Sequence, residues 1–133
     1  GTMWIDSRNH QIIKWKFMIQ SYGCDIPDDD NTVIRMGIVS NNNTSSLMPG
    51  FGIPHINDIY FNIKHNYLLS NQQYNLVFDT RFRKLSIMKN DTELQGQYVI
   101  LLGDPKYKLA ISMATKGCKL CLIDFEMVDN KIR

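Results

Sequence analysis

Cys118 and Cys121, in Cys118-Lys119-Leu120-Cys121, have the spacing of a zinc knuckle or a redox pair. A structural zinc site needs four ligands, and beyond this pair the chain offers only Cys24 and scattered histidines, with no second Cys-x-x-Cys. Residues three apart on a strand also point to opposite faces, so two such thiols would diverge. The cysteines therefore read as small apolar residues, and no metal or other cofactor is expected. The histidines are His10, His55 and His65. A hydrolase would need one of them beside an activated Ser or Cys, yet no Gly-x-Ser-x-Gly elbow accompanies them. Asp28-Asp29-Asp30 begins like a cation loop but lacks the alternating ligands, central Gly and distal Glu of one. It reads as a solvated acidic turn, with attraction of a basic partner as the alternative. The chain is expected to be non-catalytic.

Binding chemistry is better represented. Aromatic side chains supply most of the energy of many interfaces, and three of them fall in expected loops: Tyr22, Phe51 within Pro49-Gly50-Phe51-Gly52, and Tyr67. With Asn41, Asn42, His55 and His65 they form the candidate partner-binding set. A Gly-flanked Phe is costly to leave in water, so Phe51 either plugs the core or anchors a partner. The formal charge of +2, with a small basic run at Arg81, Arg83 and Lys84, is too weak for a phosphate-driven partner. A protein or peptide partner is expected, and no nucleic acid. The odd cysteine count suits a reducing compartment, cytoplasmic or nuclear. No apolar run is long enough for a membrane helix.

The elements that must position these residues are strands. In Ile13-Lys14-Trp15-Lys16-Phe17-Met18-Ile19, apolar side chains recur at every second position while Lys14 and Lys16 point the other way, the pattern of a strand with one wet face. In residues 32–39, Ile34, Met36 and Ile38 share a side, and Gly37 is expected to mark a bulge or a close backbone approach. Further strand-like runs lie at 59–63, 74–78, 84–88, 98–102, 108–114 and 119–127. Turn chemistry separates them at Tyr22-Gly23, Ile26-Pro27-Asp28, Lys89-Asn90-Asp91, Gly103-Asp104-Pro105 and Lys116-Gly117. Short strands with regular turns and no amphipathic helix predict an all-β fold, an antiparallel β-sandwich of two packed sheets. At 133 residues, with 44% apolar and 21% charged residues, one domain over residues 3–133 is expected. Gly1 and Thr2 read as a tag remnant. The longest irregular stretch, 41–58, is of a length that is often functional.

The order of these motifs resembles the SPRY (B30.2-like) family. His10 to Ile19, with Trp15 and Phe17, is similar to its early strand, and Ile34-Arg35-Met36-Gly37-Ile38-Val39-Ser40 to the strand that follows. Tyr74-Asn75-Leu76-Val77-Phe78-Asp79 and Lys84-Leu85-Ser86-Ile87-Met88-Lys89-Asn90 resemble its middle hairpin. Tyr107 to Met113 and Leu120 to Phe125 resemble its last two strands. Asp91 stands where the family has a glycine, and Ile87 where an aromatic is common. The resemblance implies a concanavalin-like pair of antiparallel sheets with a loop-built surface for a protein or peptide. Such a domain would be the recognition part of a larger scaffold or a ubiquitin-ligase-type protein. A MATH-type interaction domain and a lectin-like, carbohydrate-binding sandwich are the alternatives.

Overall fold

The computed structural model describes residues 4–24, 32–40, 59–99 and 105–129. The strands among them are β1 (Ile5–Asp6), β2 (Gln11–Ser21), β3 (Thr32–Ser40), β4 (Ile59–Lys64), β5 (Gln73–Asp79), β6 (Lys84–Lys89), β7 (Thr92–Tyr98), β8 (Lys106–Met113) and β9 (Lys119–Asp129), and no helix occurs among the described residues. They form two antiparallel sheets, one of four strands in the order β1-β8-β3-β4 and one of five in the order β7-β6-β5-β2-β9. This is the all-β sandwich expected from the alternating pattern.

Period-two alternation decides what the five-stranded sheet buries. Ile13, Trp15, Phe17 and Ile19 of β2, Tyr74, Leu76 and Phe78 of β5, and Leu85 and Ile87 of β6 are all buried. Against them pack Ile34, Met36 and Ile38 of β3, Phe61 and Ile63 of β4 and Tyr107 of β8. Phe78 and Tyr107 meet across the layers edge to face, with ring centroids 6.2 Å apart. Each fully buried large apolar side chain contributes roughly 1.5–3 kcal/mol relative to exposure, so one interdigitated core holds the sheets together.

In β3, Val39 on the opposite face is buried as well, and Val33, at the register shift, joins the core, which explains why its sequence is almost continuously apolar. Gly37 is a site of close approach rather than a bulge. A Cβ there would lie 1.9 Å from the Ile59 carbonyl oxygen and 2.5 Å from the Tyr60 Cα. The register shift of the β3–β4 pair falls instead between Thr32 and Ile34.

The turns obey local chemistry. Asn90 and Asp91 form the loop between β6 and β7, whose flanking residues Lys89 and Thr92 pair directly, and Asn90 takes φ +53°, which Asn tolerates better than most residues. Between β5 and β6 the Asp79 carboxylate accepts the Arg81 and Phe82 N–H groups at 3.0 and 3.3 Å, an Asx-type turn that aims Phe82 outward. Only the first two residues of the strand expected at 98–102 are described. Tyr98 closes β7, the Val99 N–H donates to the Arg83 carbonyl at 2.7 Å, and residues 100–102 lie outside the described residues. Neither β7 nor the two-residue β1 was anticipated: β7 reads Thr-Glu-Leu-Gln-Gly-Gln-Tyr and has no buried residue, so no apolar period marks it.

Candidate functional site

Tyr22 does not project from a loop as a partner-facing anchor; it is buried. Its hydroxyl donates to the Leu68 carbonyl at 2.5 Å and accepts the Leu68 N–H at 3.1 Å, while its own carbonyl accepts the Thr115 hydroxyl at 2.5 Å. Burial pushes the phenol up to about 12. Gly23, at φ +82°, allows the turn that follows: a Cβ there would lie 2.4 Å from the Lys116 carbonyl oxygen. Tyr22 is therefore a structural tie between the end of β2 and the β4–β5 connection.

That connection carries the other described candidates. Leu68 is buried and holds it down, Asn66 and Asn71 take φ of 61° and 62°, and His65 and Tyr67 are exposed. His65 stands edge-on to Tyr22 with centroids 5.3 Å apart. Tyr67 and Leu69 form a small outward apolar pair. Asn41, Asn42, Phe51 and His55 lie outside the described residues, as does Asp28-Asp29-Asp30. Cys24 is exposed and Cys118 and Cys121 half-buried, all as free thiols; burial raises the Cys118 thiol, against a hydrogen bond to Thr115. Among the described residues no three His, Cys, Asp or Glu side chains converge as a metal site would require.

A well-formed concave feature among the described residues lies elsewhere, on the outer face of the five-stranded sheet: a cleft of about 530 Å³, within the size range of ligand pockets. Strand register builds it. Ile12, Asp79, Lys84 and Tyr98 form one row across β2, β5, β6 and β7, and Lys14, Val77, Ser86 and Gly96 form the next. Three consecutive members of the second row are Val, Ser and Gly, so the sheet surface sinks there. Phe82 rises from the β5–β6 turn and Tyr98 from the end of β7; they are 59% and 74% exposed. Val77, Ile12 and Met88 supply apolar surface, and Asn75, Asn90 and Asp91 complete the lining.

Two of the charged groups of the cleft, Lys84 and Asp79, are engaged within the fold. Lys84 Nζ lies 2.8 Å from the Glu93 carboxylate, which also accepts the Ser86 hydroxyl at 2.7 Å. Lys84 therefore holds the Glu93 carboxyl below its ordinary range, with help from Ser86, and Glu93 raises Lys84 in turn. The bare Gly96 makes room for this pair, since a Cβ would come within 2.7 Å of the Glu93 carboxylate and 2.9 Å of Lys84 Cε. Lys84 also stands 5.5 Å from the Tyr98 ring, and the Arg81 guanidinium 4.0 Å from the Phe82 ring, spacings at which a cation attracts an aromatic face. Arg81 and Lys84 of the basic run are thus turned onto local carboxylates and rings. Asp79 caps its own turn.

Such a site has two exposed aromatic walls and an apolar floor, with Lys84, Ser86 and Asp79 committed to neighbours within the fold. It suits capture of an apolar side chain. The sequence reading missed Phe82, Gly96 and Tyr98; the signal within reach was Phe82, a bulky apolar residue between Arg81 and Arg83 just past a strand end. No family model matches the chain, and no significant match exists among curated proteins or solved structures.

Proposed function

We propose that this chain is a non-catalytic recognition domain that binds a peptide or protein segment on the outer face of its five-stranded sheet, seating an apolar side chain between Phe82 and Tyr98. The observation that carries this reading is the cleft itself, with the two most exposed aromatics of the described residues flanking a depression floored by Val77. Exposed aromatics around an apolar hollow are the usual anchors of interfaces. The family resemblance supports a protein partner and a place in a larger scaffold; the cleft moves the expected contact from loops to a sheet face.

A lectin-like role is the second reading, favoured by Asn75, Asn90 and Asp91 beside the aromatic walls. Against it, Ser86 and Lys84 are already committed to Glu93, and Asp79 to the N–H groups of its own turn. A sugar hydroxyl desolvated against those committed groups would go unmatched, at about 1–3 kcal/mol each. A peptide-display selection run beside a glycan array tests the proposal. Enriched peptides should share a large apolar residue and lose binding to Phe82→Ala and Tyr98→Ala; selective glycan binding abolished by the same variants would replace it with the lectin reading.

A further inference from the structure

The sheets of the sandwich are unequal, and the inequality falls on one side. Gln97 Nε2 donates to the Tyr60 carbonyl at 2.8 Å, which holds β7 beside β4. Counting inward from that side, the four-stranded sheet ends in β1, of two residues, while the five-stranded sheet continues to β9, of eleven. Among the described residues β9 pairs with β2 alone, and no other described strand lies on its far edge.

Its side chains show the consequence. Met127 pairs with Ile13, Phe125 with Trp15 and Leu122 with Phe17, on the face that in β2 is core. The β2 members are buried, yet Leu122, Phe125 and Met127 are 51%, 36% and 37% exposed. On the other face Glu126 stands opposite Lys14 and Asp124 opposite Lys16, and neither acid forms an ion pair closer than 4 Å among the described residues. Edge strands are usually blunted by Pro, Lys or inward charges. From 124 to 129 the one inward carboxylate is that of Asp129, at the strand's end, held by Gln11 at 2.8 Å. The register shift that leaves Ile123 unpaired marks where this regular stretch begins.

We propose that the far edge of β9, along residues 124–129, takes up an extended segment of a partner polypeptide in which apolar and basic residues alternate. Its apolar side chains continue the Trp15–Phe125 row, and its basic ones face Asp124 and Glu126 from the side opposite Lys14 and Lys16. An acidic segment would set like charges directly across the pair. This surface is independent of the cleft, and backbone pairing of this kind is a recurrent mode of peptide recognition.

Fluorescence anisotropy of the full chain with short labelled peptides tests it. A peptide alternating Val and Lys should bind about tenfold tighter than one alternating Val and Glu, and tighter than a block arrangement of the same Val and Lys content. Backbone N-methylation of the alternating peptide should abolish binding. The double substitution Asp124→Lys, Glu126→Lys should reverse the preference, with circular dichroism unchanged. Phe82→Ala and Tyr98→Ala should leave this binding intact; if they abolish it, the peptide sits in the cleft and the proposal fails. Equal binding of the block or N-methylated peptide, or a dimer in sedimentation equilibrium that excludes peptide, would also overturn it.

Discussion

Replacing Tyr98 with alanine separates a binding anchor from a core residue. The side chain is 74% exposed, so only about a quarter of an aromatic's roughly 200 Å² is withdrawn from water. At about 25 cal/mol per Å² that area is worth roughly 1.3 kcal/mol of folding stability at most, and the exposed Lys84 contact adds little. Seated against a ligand, the same ring should cost about 1–3 kcal/mol of binding when removed, a loss of roughly fivefold to more than a hundredfold in affinity. Phe82→Ala should behave similarly, its exposure being 59%. Titration calorimetry with a display-selected peptide gives the first quantity and urea denaturation the second. Unchanged affinity in both variants, or a stability loss as large as that of a core aromatic, would refute the assignment of the cleft.

Trp15→Ala should lower stability by about 3–5 kcal/mol in urea denaturation, because Trp15 is buried beside Phe125; a barely moved midpoint would put β2 on the wrong face. Gly23→Ala should destabilise by more than about 1 kcal/mol, since φ is +82° and the new Cβ would meet the Lys116 carbonyl. The phenol of Tyr22 is raised from 10.0 to about 12 in the folded state. An unfolded chain therefore loses that proton first, and the contribution present below pH 10 should decline as pH climbs toward about 12. Denaturation midpoints measured across that window should flatten in Tyr22→Phe.

Much of the framework is legible because strand periodicity is local. Alternation in residues 13–19, 74–78 and 84–88 marks the faces that prove to be core, and Asn90-Asp91 and Gly23 stop the chain where positive φ is needed. β7 escaped this reading because neither of its faces is buried: where no face is dry, no period is written. Loop position misled at Tyr22, whose phenol is held inward by Leu68 and whose carbonyl is held by Thr115, residues distant in sequence.

The sequence by itself determined which residues share a face, because that follows from the backbone's two-residue repeat. Tertiary structure alone decided what lies opposite each face. Lys14, Val77, Ser86 and Gly96 come from four separate strands, and only long-range register sets them in one row and so opens the cleft. Likewise the apolar run of β9 reads as an ordinary core strand, yet its place at the end of the longer sheet leaves Leu122, Phe125 and Met127 facing solvent. Pairing partners are chosen by contacts between distant segments, and no local spacing records them.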